Sequence, residues 1–101
     1  MAANVSLATA LRVSDDVVFR ELDGEAVILN LVSGIYFGLD QVGTRMWRLV
    51  EQHGQLDTVL RQLRDEYDAP VETLEQDLVK LTSQLLDKGL LVIADAAPAS
   101  S

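Results

Sequence analysis

The fold is decided by the stretch from Val17 to Leu39, which reads VVFRELDGEAVILNLVSGIYFGL. Two runs of β-branched and aliphatic residues, Val17 to Leu22 and Glu25 to Leu31, are separated by Asp23-Gly24. Aspartate followed by glycine is a strong signal for a two-residue hairpin, because both positions tolerate a positive φ. The stretch therefore predicts two antiparallel strands joined by a tight turn.

A third strand is predicted from Ile35 to Leu39, after a second turn at Ser33-Gly34. The simplest topology is a three-stranded antiparallel meander with this strand at an edge. The strand is apolar on both faces, whereas a half-exposed edge strand normally alternates apolar and polar residues and carries charged side chains. We therefore expect another segment to pack against this edge. The covering segment can be the last helix and C-terminal residues of the same molecule, a second copy, or an extended peptide that adds a strand.

After Asp40 the hydrophobic period changes from two residues to about 3.6, which indicates helices. The first predicted helix is capped by Asp40 and ends at Gly54. A second helix is broken by Asp68-Ala69-Pro70, and a third runs from Val71 to Lys88. The apolar positions that set these periods are Val42, Met46, Leu49 and Val50, then Leu56, Val59, Leu60, Leu63 and Tyr67, then Leu74, Leu78, Leu81 and Leu85. The expected class is α+β, an N-terminal three-stranded β-meander followed by three helices.

Length and composition indicate one compact domain, since the chain has 101 residues of which 49% are hydrophobic. We expect this domain to span residues 17–93, between a flexible segment at 1–16 and a disordered tail at 94–101. The apolar run Leu90 to Ile93 can pack on the core or add a short strand. The chain has no cysteine, no signal-peptide pattern and no apolar segment near the ~20 residues of a membrane span, which favours a cytoplasmic protein that is not in a membrane.

The charge balance argues against nucleic-acid partners. Sixteen acidic and eight basic residues give a formal charge of -8, which repels phosphate backbones and anionic membranes. The second and third helices resemble a helix-turn-helix, but the segment from Val71 to Lys88 has four acidic residues, two lysines and no arginine. We therefore expect no nucleic-acid binding.

Residues with catalytic or metal-binding potential are few. His53 is the single histidine, and at a predicted helix end its ordinary role is to meet the negative end of the helix dipole. Glu72, Glu75 and Asp77 follow the solvated side of a helix and form no calcium-loop pattern. Without a nucleophile and base, a metal set or a phosphate-binding loop, we expect neither enzymatic activity nor a cofactor.

A more specific pattern runs through the meander and the first helix. It is Gly-x-Tyr-x-x-Leu from Gly34 to Leu39, followed by Gly-x-x-x-Trp from Gly43 to Trp47. Residues that extend the pattern are Asp23 to Leu31, Asp40, Val42, Leu63, Glu66 to Asp68, Asp77 and Leu85 to Leu90. In these residues the chain resembles the PqqD-like family over Leu11 to Ile93.

The resemblance implies a non-catalytic peptide chaperone of winged helix-turn-helix-like architecture. Such a precursor-peptide recognition element binds the leader of a ribosomally made precursor and presents it to a modifying enzyme. Members dedicated to pyrroloquinoline quinone synthesis carry a Trp-Val-Leu-Leu-x-Pro-Glu-like second strand, from which Ala26 to Leu31 departs. The chain is closer to the generic branch, which implies a radical-dependent peptide modifier or a leader protease, as of lasso peptides, for a partner. The alternative is a self-associating structural or regulatory domain, so the protein is a monomer or a homodimer.

By the same resemblance, the leader pairs with the third strand and contacts the third helix. The candidate binding residues are Val32, Ile35, Tyr36, Phe37, Gly38 and Leu39 near the strand, and Asp77, Leu78, Leu81 and Leu85 on the helix. The three leucines fit the hydrophobic core equally well. We expect Trp47, Leu29 and Leu31 in the core, since large apolar residues at these periods usually pack inside.

Overall fold

The computed structural model describes residues 5–94, which form five strands and three helices. Strands β2, β3 and β4 form one antiparallel sheet in that order, and β1 and β5 form a second antiparallel pair. The α+β class, with a meander followed by three helices, is confirmed. In chain order the elements are β1 Leu11–Val13, β2 Val17–Leu22, β3 Glu25–Asn30, β4 Tyr36–Leu39, α1 Gln41–His53, α2 Leu56–Glu66, α3 Val71–Asp87 and β5 Leu91–Ile93.

The hairpin between β2 and β3 has the predicted two-residue turn. Asp23 and Gly24 both adopt a positive φ, 56° and 81°, as a type I′ turn requires. Leu22 pairs with Glu25 directly across the turn, and the register continues to Val17 opposite Asn30. The turn therefore fixes the register and decides which side chains of β3 face the helices.

The core lies between one face of the three-stranded sheet and the helices. Ala26 and Ile28 of β3 are buried on this face, where α1 packs with Trp47 almost fully buried. The ring of Phe19 stacks on Trp47, with centroids 6.0 Å apart and an interplanar angle of 9°. Trp47 is thus a core residue, as expected from its sequence position.

The start of α1 and the end of α3 have well-defined capping hydrogen bonds. The Gly43 N–H at the start of α1 donates to Asp40 Oδ1 at 2.7 Å, which confirms the predicted cap. At the end of α3, Leu90 N–H donates to the Leu85 carbonyl and Gly89 N–H to that of Leu86. With φ at 72° for Gly89, these two bonds form a Schellman motif that ends the helix.

The N-terminal segment differs from the sequence expectation, because part of residues 1–16 belongs to the domain. Leu11 is only 2% exposed, and Leu11–Val13 pairs with Leu91–Ile93, which gives the C-terminal apolar run its strand. The carbonyls of Leu7 and Thr9 accept hydrogen bonds from the first N–H groups of α2, those of Asp57 and Leu56. This segment thereby caps a helix that lacks a side-chain cap. Residues 1–4 and 95–101 of the predicted tails lie outside the described residues.

Smaller corrections concern Leu31, Ile35 and Tyr67. The structure ends β3 at Asn30 and begins β4 at Tyr36, so Leu31 lies in the connecting loop with 63% exposure and is not a core residue. Leu29 is half-buried on the outer face of the sheet. Tyr67 follows the last turn of α2 in an extended conformation, although its apolar spacing continues the helical pattern.

Candidate functional site

The backbone of β4 has one paired side and one open side. Asn30 N–H donates to the Ile35 carbonyl, and on the other side of β3 Leu31 N–H donates to the Asp16 carbonyl. Hydrogen-bonded pairs in an antiparallel ladder alternate, so Phe37 and Leu39 are the β4 residues that bond to β3. The N–H and C=O groups of Tyr36 and Gly38 therefore point away from the sheet. Within residues 5–94 no strand pairs with that side of β4.

The side chains of β4 alternate about the plane of the sheet. Phe37 and Leu39 point toward the helices, half-buried and buried, while Tyr36 points to the outer face with 71% exposure. A methyl group placed on Gly38 would meet no atom within 4 Å. The outer face at Gly38 is therefore open, and a side chain placed there would meet no neighbour.

Helix α3 forms the second wall beside this edge. Asp77, Leu81, Gln84 and Lys88 lie within about 60° of one another around the helix axis, at 100° per residue. The Lys88 ammonium lies 6.0 Å from the centroid of the Phe37 ring. Asp77 and Leu81 thus face the same side as Lys88, toward β4 and the start of α1.

A cavity lies at the far end of this wall, where β4 leads into α1. It has a volume of about 350 Å³ and is lined by Asp40, Val42, Gly43, Met46, Asp77 and Leu81. Its lining combines the apolar side chains of Val42, Met46 and Leu81 with the carboxylates of Asp40 and Asp77. We call the channel between the β4 edge and α3, from this cavity to Lys88, the edge groove.

The structure brings together about half of the predicted site residues. Phe37, Asp77 and Leu81 border the edge groove, the backbone of Gly38 lies on its β4 edge, and Val32, Ile35 and Tyr36 lie exposed at its loop end. Leu39, Leu78 and Leu85 are instead core residues, with 5%, 0% and 1% exposure, so their side chains offer no contact surface. Leu78 and Leu85 point deeper toward the core than Leu81, because they lie further around α3.

Sequence reasoning missed Val42, Met46 and Lys88 as groove residues. In the sequence analysis Lys88 is only the last residue of the third predicted helix. The available signal was its spacing of seven residues from Leu81 and eleven from Asp77, which places all three on one helical face. Val42 and Met46 share a face of α1 in the same way, four residues apart.

The outer face of the sheet is a second exposed apolar surface that the sequence analysis did not single out. Val18, Leu22 and Val27 are 43%, 77% and 49% exposed on this face, next to Tyr36. Leu31 and Val32 extend it into the loop. An apolar surface continuous with an open strand edge is typical of a docking surface.

Ion pairs occupy the opposite side of α1. Arg45 binds Glu66 through two hydrogen bonds of 2.6 Å, and this bonding holds the pKa of Glu66 below its usual range and raises the pKa of Arg45. Arg48 binds Glu21 of β2 at 2.6 Å. Among residues 5–94, none of the ion pairs includes Asp77 or Lys88. Asp77 and Lys88 are therefore not neutralised by an ion pair within this part of the chain.

Two further features bear on function. In the described part of the chain, no group of three or more His, Asp or Glu residues is placed to hold a metal ion. His53 lies exposed in the last turn of α1, at the position expected for a dipole-facing residue. Of the helices in residues 5–94, none combines the length and apolar character that crossing a bilayer requires.

Comparison with known proteins identifies one family model and two similar structures. The model of coenzyme PQQ synthesis protein D (PqqD) matches residues 25–91. A structure of TbiB1 in complex with the TbiA(beta) leader peptide is 39% identical, with 79% of this chain and 93% of that chain covered and a TM-score of 0.74. A structure of a lasso peptide synthetase B1 complexed with the leader peptide is 20% identical, with 82% of this chain and 98% of that chain covered and a TM-score of 0.73. At this identity the similarity is one of fold alone. No curated protein matches the chain.

Proposed function

This chain belongs to the PqqD family, whose model matches well over half of its length, and we propose that it binds the leader of a ribosomally made precursor peptide. One observation carries the proposal. The outward N–H and C=O groups of Tyr36 and Gly38 lie beside the apolar edge groove, so an extended peptide can bond to the sheet while its side chains enter the groove. The leader peptide bound to the 39% identical TbiB1 supports this ligand class.

The sheet has two edges, and only one of them suits strand addition. Strand β2 carries Arg20 and Glu21, and Glu21 is held in an ion pair with Arg48. Charged residues on an edge strand discourage pairing with another chain. Strand β4, Tyr36–Leu39, contains no charged residue. We therefore assign the leader to β4.

In the bound state the leader becomes the fourth strand of the sheet. Every second side chain points into the edge groove, toward Phe37, Leu81 and Val42. Two buried apolar anchors contribute about 1.5–3 kcal/mol each before ordering costs. The backbone hydrogen bonds of the added strand supply the rest of the roughly 8 kcal/mol that micromolar binding of a disordered leader requires. The protein holds the leader without acting on it and presents it, in the cytoplasm and without a cofactor, to a radical-dependent peptide modifier or a leader protease.

The proposal is tested with two substitutions at one position. Gly38→Pro removes the outward N–H that a leader strand needs, whereas Gly38→Ala keeps it and adds a methyl group where there is open space. Titration with the TbiA(beta) leader peptide, followed by NMR amide shifts, measures the dissociation constant. We expect about a tenfold loss of affinity for Gly38→Pro and less than about a twofold change for Gly38→Ala.

Thermal unfolding of each variant shows whether the fold is retained. If folded Gly38→Pro binds the leader as tightly as the unsubstituted protein, the β4 edge is not the site. Phe37→Pro is unsuitable for this test, because the Phe37 N–H points to Ile28 within the sheet and its loss weakens the fold itself.

Self-association is the second candidate function, and the exposed apolar outer face favours it. Leu22, Val27 and Tyr36 could be covered by a second copy, and the β4 edge could pair with itself. Sedimentation velocity at increasing protein concentration, with and without leader peptide, separates the two. A dimer that persists unchanged at saturating leader would support a structural role for this surface.

A further inference from the structure

We propose that the edge groove selects its leader by the order of charges along it, an inference that rests on the leader-binding function. The leader carries a basic residue opposite Asp77 and an acidic residue opposite Lys88, four or six positions nearer its carboxyl end. An apolar residue between them faces Leu81. The ligand class is thus an extended peptide with a fixed charge order and a fixed direction.

The groove is electrically asymmetric. At one end, the carboxylates of Asp40 and Asp77 line the same cavity as Val42 and Met46. One oxygen of Asp40 is engaged by the Gly43 N–H, which leaves Asp77 as the carboxylate that can turn toward a ligand. At the other end, the Lys88 ammonium lies over the Phe37 ring. Complementary charges on a peptide are attracted at both ends only in one orientation.

The spacing follows from the geometry of helix and strand. Asp77 and Lys88 are eleven residues apart on α3, which at 1.5 Å per residue is about 16 Å. A strand that advances 3.4 Å per residue covers this distance in about five residues. Only alternate side chains face α3, so the two charged leader residues are separated by four or six positions.

The direction follows from the sheet. Strand β4 passes the Lys88 end of the groove at Phe37 and leads through Asp40 toward the Asp77 end, which lies beyond the strand at the start of α1. An added antiparallel strand continues the pattern of the existing sheet and pairs more stably per residue than a parallel one. The amino-terminal side of the bound leader segment therefore lies at Asp77 and its carboxyl-terminal side lies at Lys88.

The test combines a charge scan of the peptide with charge reversal in the protein. Each position of the TbiA(beta) leader peptide is replaced in turn by lysine and by glutamate, and dissociation constants are measured by fluorescence anisotropy at low salt. The protein variants are Asp77→Lys and Lys88→Glu. Their matched controls, Asp87→Lys and Lys80→Glu, make the same changes in net charge within α3 but off the helix face that carries Asp77, Leu81 and Lys88.

We expect Asp77→Lys to reverse the preference from lysine to glutamate at one leader position, with about a fivefold change in relative affinity. Lys88→Glu reverses the opposite preference four or six positions nearer the carboxyl end. The control variants should change the dissociation constants of all peptides by the same factor. The preference for lysine or glutamate at each leader position should become smaller at high salt. If the leader binds but its preferences for lysine or glutamate do not change in either protein variant, this inference alone is overturned. The same holds if the position that responds to Lys88→Glu lies nearer the amino end of the leader than the position that responds to Asp77→Lys. Absence of leader binding by the unsubstituted protein overturns the proposed function as well.

Discussion

At the scale of single residues, Asn30 links three parts of the chain around the end of the central strand. Its Nδ2 donates to the Gly89 carbonyl at 3.0 Å, and its Oδ1 accepts from the N–H groups of Val32 and Ser33 at 2.8 and 3.1 Å. The side chain is buried with all these bonds made, which is the condition for tolerating a polar group inside a protein. Asn30 thus attaches the β3–β4 loop to the end of α3.

We predict that Asn30→Ala lowers the free energy of unfolding by about 1–3 kcal/mol, because the Gly89 carbonyl loses its partner inside the protein. Urea denaturation followed by Trp47 fluorescence measures this change. Ser33→Ala is the control in the same loop, since it removes only an exposed bond from Ile35 N–H, and it should cost less than about 0.5 kcal/mol. Equal effects of the two substitutions would contradict a linking role for Asn30.

Site residues on α3 show what helical spacing can and cannot predict. The period of Leu74, Leu78, Leu81 and Leu85 identified one apolar face, and Asp77 was assigned to the site through the family resemblance. Spacing alone did not divide that face into residues that point into the core and residues that border the groove. The division depends on where β4 and α1 pack against α3, which is a property of the assembled fold.

At the scale of elements, the β1–β5 pair closes the domain by joining its two ends. Leu11 and Leu91 are buried there at 2% and 1% exposure, and the N-terminal segment also caps α2. Sequence patterns predicted the β2–β3 hairpin and the three helices, because their signals are local turns and periods. They did not predict β1, because three residues carry no period and the partner strand is about eighty residues away.

The β1 strand can be tested with two neighbouring substitutions. Leu11→Ala should lower the free energy of unfolding by about 2–5 kcal/mol, since it leaves a cavity in the core. Arg12→Ala, whose side chain is 57% exposed, should change it by less than about 0.5 kcal/mol. Chemical denaturation measures both. If residues 1–16 were a tail without contacts, the two variants would be equally stable.

At the scale of the whole molecule, the β2–β3–β4 sheet has no further strand at either edge among residues 5–94, and its two edges differ in charge. The outward N–H groups belong to Phe19 and Glu21 on β2 and to Tyr36 and Gly38 on β4, by the same alternation of hydrogen bonds. Sequence analysis predicted the apolar edge at β4 from its composition. The β4 residues whose backbone groups point outward could not be predicted, because the β3–β4 loop does not fix the register from sequence and a one-residue change exchanges them.

Leader binding by strand addition should therefore leave an alternating pattern in amide hydrogen exchange. At a leader concentration about 100 times the dissociation constant, the folded state gains about 2.7 kcal/mol, so amides that exchange only by global unfolding slow by about a hundredfold. The Tyr36 and Gly38 amides should in addition change from rapid exchange to protection, because they acquire partners in the leader. Phe19 and Glu21 are the internal control and should stay rapid. Binding that leaves Tyr36 and Gly38 as rapid as Phe19 would mean that the leader contacts α3 without joining the sheet.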